Sequence, residues 1–478
     1  MIRHTKIVAT LGPGTDKPHI IEEMIRAGVN IVRLNFSHGS ADDHRRRVQE
    51  VRDAATAQGR TVAVLGDLQG PKIRIARFAE GHVVLEVNDE FVLDLDCPPQ
   101  GGDAQRVGVD YPSLISDCKS GSVLLLDDGK VRLEVTGTTP TKLYCRVLQG
   151  GRLSNNKGIN LLGGGLSAPA LTEKDYRDIE LAAELEVDFL AVSFPRCAED
   201  LETARKAIQA AGSQAAIVAK IERAEAVADS AQMDALIFAS DAIMVARGDL
   251  GVEIGDPALV GVQKKLIHRA NALNRGVITA TQMMESMITS PTPTRAEVMD
   301  VANAVLDGTD AVMLSAETAA GDYPLAAVES MSEVIVGAEQ YLGSVPYTPQ
   351  EHGASDRIDT VIAQAAIDVA ARVENLCAVA ALTESGRTPR MMSRANTRLP
   401  IYALTRHPRV ARQLVLLRGV DPVSFDPATV PLGQLTGAVI EVLSSRIDLQ
   451  KGQRILITQG ERVNVGGYTS SMRIKEIE

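Results

Sequence analysis

The sequence predicts a mixed α/β protein: a closed parallel (β/α)8 TIM barrel, an inserted small β-barrel lid and a C-terminal open α/β sandwich. Three observations predict it. Short β-branched runs recur eight times, most starting about 25–35 residues apart, the length of a strand plus its crossover helix. A long interval between Leu65 and Phe189 breaks that period and changes to alternating apolar and polar residues. The last segment returns to alternating helix and strand with too few strands to close a second barrel.

In chain order, the first three runs are Ile7-Val8-Ala9, Val29-Asn30-Ile31-Val32 and Thr61-Val62-Ala63-Val64-Leu65. Five more follow: Phe189–Val192, Ala216–Ala219, Ala242–Val245, Val277–Ala280 and Ala311–Leu314. The helices between them carry start and stop signals. Asp256-Pro257 reads as N-cap and first-turn Pro, a periodic run passes through Val260, Leu266, Ile267 and Leu273, and Gly276 reads as its end. Eight such units imply a closed barrel, assigned to residues 1–70 and 171–344. Within residues 71–170, His82–Val87 and Ser122–Val135 alternate, and Asp128-Gly129 between two runs signals a hairpin. An insert in a βα loop lies over the barrel's active face, as a lid. Gly163-Gly164-Gly165 reads as its hinge. After the polar connector Tyr347–Gly353, residues 345–478 form the third unit, with strands at Ala378–Leu382, Ile401–Leu404 and Arg454–Ile457.

Composition narrows the function. At 45% hydrophobic residues the chain is too apolar for disorder, and no apolar run approaches the ~18 residues of a membrane span. Its start lacks the apolar core of a signal peptide. Five dispersed cysteines without metal-ligand spacing read as reduced thiols in a cytoplasm. A net charge of −11 and the absence of Trp argue against nucleic acid as partner. The charge is uneven. Residues 171–344 carry 13 basic and 28 acidic groups, whereas 345–478 carry 16 and 13, with 14 of those 16 being Arg. That excess suits phosphate recognition.

Barrel chemistry sits where strands end, and here those ends are polar. They read Arg33-Leu34-Asn35-Phe36-Ser37-His38-Gly39, Gly66-Asp67-Leu68-Gln69-Gly70-Pro71-Lys72-Ile73-Arg74, Lys220-Ile221-Glu222, Arg247-Gly248-Asp249, Thr281-Gln282 and Ser315-Ala316-Glu317-Thr318. Any one alone reads as a solvated loop or helix cap. Together they gather the cations Arg33, Arg74, Lys220 and Arg247 beside the carboxylates Asp67, Glu222 and Asp249, a mixture suited to a phosphorylated carboxylate and a divalent metal. Glu222 and Asp249 lie on consecutive strands, so both can reach one Mg²⁺ or Mn²⁺, hard ions that take oxygen ligands. The bland reading of that pair is a structural ion pair with Lys220 and Arg247. Arg33 and Lys220 would neutralise a phosphoryl group in transfer. No Walker A or dinucleotide fingerprint occurs, so a nucleotide must be held otherwise; Asn35 and His38 are candidates, although His38 alone reads as a capping or core contact.

The strand-end stretches, with Asn156–Leu161, Met244–Glu253, Ala280–Met287 and Asp310–Thr318, closely resemble the pyruvate kinase family in the family's order. The resemblance implies phosphate transfer from phosphoenolpyruvate to ADP, giving pyruvate and ATP. It implies that Glu222 and Asp249 hold Mg²⁺. Arg33 and Lys220 would face the phosphoryl group, and Gly248, Asp249 and Thr281 would receive the substrate carboxylate. Asn35, His38, Arg74 and Lys157 match nucleotide-side positions. Thr281, Ser315 and Glu317 lie where a proton relay to the enolate is expected. A homotetramer is implied as well.

Two departures stand out. Relatives that need K⁺ carry Glu where this chain has Lys72. A fixed ammonium there, near the potential K⁺ ligands Asn35, Ser37, Asp67 and Leu68, leads to the expectation that K⁺ is not required. Thr383-Glu384-Ser385-Gly386-Arg387-Thr388 resembles the family's effector loop and can cradle a phosphate. Glu461, in the loop Gly460–Gly467, stands where relatives activated by fructose 1,6-bisphosphate have Trp, which favours a sugar monophosphate or AMP as effector. The competing functions are a metal-dependent barrel aldolase acting through pyruvate enolate, which gives Arg74 and Lys157 no task, and an inactive metabolite sensor, which predicts a broken catalytic set.

Overall fold

A computed structural model describes residues 3–344, 357–395, 397–431, 433–460 and 468–478. The connector Tyr347–Gly353 and Glu461, with the rest of its loop through Gly467, lie outside the described residues.

Eight parallel strands close into a barrel. In chain order they are Lys6–Leu11, Ile31–Asn35, Ala63–Asp67, Phe189–Val192, Ala216–Ile221, Ala242–Ala246, Gly276–Ala280 and Ala311–Leu314. The first pairs with the eighth, Ile7 opposite Val312, and this closes the ring. Strand periodicity then decides which side chains reach the lumen. Ile31, Ala63, Leu65 and Val218 pack inside, whereas Val32, Leu34, Val64, Ala219 and Ile221 face the outer helices. By the same alternation Arg33, Asn35, Asp67, Lys220 and Glu222 point into the lumen at its C-terminal end.

The second helix after the sixth strand differs from expectation at its edges. It spans Asp256–Ala272 with Gly255 as its cap, so Asp256 and Pro257 are its first residues. Its chain reversal falls at Asn274, in the left-handed region at φ 56°, and Gly276 already begins the seventh strand.

The insert pairs as a six-stranded sheet and a two-stranded ribbon. Phe91, Leu93, Leu124, Leu126, Leu133, Leu143 and Val147 fill its own core. The expected hairpin joins Val123–Leu126 to Val131–Thr138, with Asp127, Asp128 and Gly129 all at positive φ. Its two connections to the barrel meet at one buried carboxylate. Asp175 accepts from Gly70 N–H at 3.0 Å on the way out and from Thr172 N–H at 2.8 Å on the way back.

The C-terminal sheet has five strands, two more than the sequence pattern suggests: Val420–Ser424 and the antiparallel edge Thr469–Glu476. Val415 and Leu416 of this unit reach into the barrel's inner core and close its N-terminal end. Around that plug, Arg394 pairs with Asp310 at 2.5 Å and Arg412 with Asp188 at 2.5 Å. Part of the unit's Arg excess therefore serves the contact with the acidic barrel. No helix of the described residues is long and apolar enough to cross a membrane.

Candidate active site

Four charged side chains form one chain of contacts in the lumen. Arg33 Nε donates to Asp67 Oδ2 at 2.6 Å, and its Nη1 donates to Thr10 Oγ1 at 3.1 Å. Lys220 Nζ lies 3.4 Å from Asp67 Oδ1 and 2.8 Å from Glu222 Oε1. It also donates to Ser193 Oγ at 2.7 Å, whose hydroxyl donates to Leu68 O at 2.8 Å. The second Glu222 oxygen accepts from Phe194 N–H at 2.7 Å.

Burial sets the electrostatics here. Burial opposes the Lys220 charge, yet Asp67 and Glu222 more than offset it and hold the ammonium above its ordinary range. Burial opposes the Asp67 charge too, but Lys220 and Arg33 prevail and lower its pKa. Glu222 goes the other way. Burial first, then the charges of Asp249 and Asp67, push its carboxyl up to about 7 despite Lys220. Asp67 is 1% exposed, and among the described residues its Oδ1 faces only the Lys220 ammonium, at 3.4 Å.

Asp249 lies in the first turn of the helix Arg247–Ile254, with Lys72 Nζ 3.5 Å from its Oδ1. The sequence places Lys72 at the potential K⁺ turn; its ion-pair partner is instead Asp249, one of the two carboxylates expected to hold a metal. No cluster of three or more metal-binding side chains occurs among the described residues. The donor set still fits Mg²⁺ or Mn²⁺, which are bound through one or two carboxylates and complete their shells with water and substrate oxygens. The Glu222 carboxyl is raised by burial first and by the Asp249 and Asp67 charges next, and a cation held between Glu222 and Asp249 would oppose both. The potential K⁺ ligands are largely engaged: Asn35 Oδ1 accepts from Ser37 N–H at 3.1 Å, Asp67 Oδ2 from Arg33, and the Leu68 carbonyl from Ser193.

Gly248 N–H donates to Thr281 Oγ1 at 2.9 Å. Thr281 and Gln282 both adopt left-handed backbone, φ 64° and 54°, uncommon for residues with a Cβ. Arg247 holds that turn. Its Nη2 donates to Thr281 O at 2.5 Å and its Nη1 pairs with Asp300 at 2.7 Å. This corrects the expectation that Arg247 joins the site's free cations: it is a buried strut aimed at Thr281. Nor does it pair with Glu222 or Asp249; of the structural ion pairing weighed for these two carboxylates, Lys220–Glu222 at 2.8 Å is the part that forms. Glu317 is buried, and its carboxylate accepts from Ser315 N–H at 2.7 Å and Met284 N–H at 3.2 Å.

The four nucleotide-side residues fall on two units. Asn35 and the exposed His38 belong to the second barrel turn. In the lid, Arg74 Nη1 donates to Asn156 O at 3.2 Å and Lys157 pairs with Asp127 at 2.7 Å. In the expected effector loop Ser385 and Arg387 are exposed, while the buried Thr388 hydroxyl is bonded to that of Thr469 at 2.7 Å. Thr383 Oγ1 accepts from Gly386 N–H at 2.9 Å, and Glu384 pairs with His407 at 2.6 Å. The helix that follows, Arg387–Arg394, starts from Gly386 without a side-chain cap.

Reading strand ends for charge passed over Thr10 and Ser193. Both sit on barrel strands or at their ends, where the same positional rule applies to hydroxyls.

A closed parallel barrel with this charge set in its lumen, beneath an inserted lid, is that of a barrel phosphotransferase. The family description "Pyruvate kinase, barrel domain" matches residues 2–328, and "Pyruvate kinase, alpha/beta domain" matches residues 360–475. Pyruvate kinase II of Salmonella typhimurium is 54% identical over 478 residues, 100% of this chain and 99% of its own. Pyruvate kinase of Haemophilus influenzae is 53% identical over 460 residues, 96% of each chain. That of Mycobacterium tuberculosis is 40% identical over 481 residues, 100% of this chain and 99% of its own. The chain belongs to the pyruvate kinase family, and the aldolase and sensor readings find no support.

Proposed function

We propose that this site transfers the phosphoryl group of phosphoenolpyruvate to ADP, giving pyruvate and ATP, with Glu222 and Asp249 holding Mg²⁺ or Mn²⁺. The observation that carries it is the buried Lys220 ammonium, bridging Asp67 and Glu222 in the same lumen as Arg33. The metal, when bound, supplies positive charge to substrate oxygens. Lys220 and Arg33 are fixed cations facing the phosphoryl group, so no reorganisation is needed as charge moves. Thr281 Oγ1 holds the Gly248 N–H until a substrate carboxylate replaces it, and the Asp249 N–H at the same helix start adds a second donor. Thr281, Ser315 and Glu317 order the proton delivered to the enolate. Asn35, His38, Arg74 and Lys157 take the nucleotide, the last two arriving with the lid.

Lys72 supplies a fixed charge, so K⁺ is not required. Activity in buffer free of K⁺ and Na⁺ should match that with KCl; a large stimulation would overturn this. The loop Thr383–Thr388 takes a phosphorylated effector, a sugar monophosphate or AMP, through Ser385, Arg387 and the uncapped helix start. We further propose a cytoplasmic homotetramer, on the strength of the family resemblance. The test of the reaction is a lactate-dehydrogenase-coupled assay. NADH oxidation should require both phosphoenolpyruvate and ADP; pyruvate release without ADP would refute the assignment.

A further inference from the structure

One carboxylate outside the reacting set touches all three parts of the metal-side architecture. Glu253 is 1% exposed and lies one helical turn after Asp249 on the helix Arg247–Ile254. Its Oε2 accepts from Ala224 N–H at 2.8 Å, two residues past Glu222. Its Oε1 accepts from Asn160 Nδ2 at 3.2 Å. Asn160 belongs to the lid sheet, paired opposite Leu125. The Glu253 carbonyl also accepts from Gly163 N–H at 3.2 Å.

A second buried group tightens the same clasp. Arg223 lies 3.6 Å from Glu253 and donates to Leu166 O at 3.0 Å, where the lid strand returns to the barrel. Its partner Glu225, 3.2 Å away, accepts from Gly165 N–H at 2.5 Å. Gly164 has φ 82°, and a Cβ there would run into the Glu225 carboxylate. The glycine run is thus a strap pinned to the barrel.

We propose that Glu253 is a positioning residue that couples seating of the lid to the spacing of the two metal carboxylates. Its side chain joins the turn after Glu222 to the helix that carries Asp249, and the lid's Asn160 completes its hydrogen bonding. The proposal rests on reading Glu222 and Asp249 as the metal pair.

The test measures Mn²⁺ binding to the full-length protein by electron paramagnetic resonance, without substrate, beside melting temperature. Glu253→Gln should weaken Mn²⁺ about tenfold, the low end for groups that orient metal ligands. Asn160→Ala, which removes only the lid arm, should weaken it less and leave the melting temperature unchanged; it serves where Glu253→Gln does not fold. Mn²⁺ affinity within twofold of the parent in every folded variant overturns the coupling. Glu222→Gln is the control for the underlying reading. If it too leaves Mn²⁺ binding intact, the metal assignment fails; if it alone abolishes binding, only the role of Glu253 fails.

Discussion

The two ends of the barrel use the same residue types to opposite effect. At the N-terminal end, Asp310 accepts from Arg394, from Arg418 N–H and from Val277 N–H, and Asp188 accepts from Arg412, Arg52 and Val64 N–H. Both oxygens of each carboxylate are satisfied. At the C-terminal end, Asp67 Oδ1 has only the long Lys220 ammonium contact at 3.4 Å, Asp249 has one at 3.5 Å, and Glu222 is pushed toward protonation by burial and then by the neighbouring carboxylates. Buried ion pairs are weak evidence of stabilisation in general. Here short, complete pairing marks the carboxylates that join the two units, and long ammonium contacts mark Asp67 Oδ1 and Asp249; Glu222 accepts at both oxygens and differs by its raised carboxyl.

The largest expected effect breaks the upper network. Replacing Lys220 by Met should cut kcat by about a thousandfold or more, since a fixed charge facing the transition state contributes at least what one oxyanion donor does. The fold should survive, because Glu222 can take up a proton in place of the lost ammonium. Steady-state kinetics beside circular dichroism checks both; retained turnover refutes the role assigned to Lys220.

The matching cut at the lower end should invert that result. Arg394→Met leaves Asp310 buried without its side-chain partner, which costs about 3–5 kcal/mol. A lower melting temperature with kcat at 25 °C within twofold of the parent is expected. A large loss of kcat in the folded protein would show that the two ends are not separable.

Glu222 sharpens the contrast through pH. Its carboxyl is raised to about 7 in the folded metal-free chain, above the ordinary 4.5, so folding favours its protonated form. That contribution is fully present below about 4.5 and is lost as pH rises through about 7. Without metal, Glu222→Gln should therefore melt higher than the parent at pH 8, with the gap narrowing toward pH 6. A gap that is absent, or widens on acidification, would mean that Glu222 is not held under strain.

The barrel was legible because β-branched runs and the strand period are local, and the period carried Arg33, Asp67, Lys220 and Glu222 into one lumen. What escaped depends on long-range packing. Arg247 looked like the other strand-end cations, but the helix start turns its guanidinium toward Thr281 O and Asp300. The strand Thr469–Glu476 escaped because it is an edge, paired on one side by Arg454–Gly460, and its outward residues mix polar and apolar types. The Arg-rich C-terminal segment suggested anion binding, yet Arg394 and Arg412 contact barrel carboxylates that no local pattern connects to them.

The smallest effect concerns Ser193, which charge-based reading passes over. Its Oγ sits between Lys220 Nζ and the Leu68 carbonyl, and a Cβ on Gly70 would meet its Cβ at 2.7 Å. The hydroxyl therefore fixes the ammonium relative to the turn where the lid departs. Ser193→Ala keeps the packing but removes one of three contacts to Lys220, while Asp67 and Glu222 still hold it. A hydrogen bond to a charged group contributes about 1.5–3 kcal/mol, and the two remaining anions should absorb part of that loss. About a tenfold fall in kcat with KM and melting temperature unchanged is expected. A fall as deep as that of Lys220→Met would assign Ser193 to the chemistry itself. No change in kcat would show that the two carboxylates alone position the ammonium, in which case the upper network, too, carries a redundant contact.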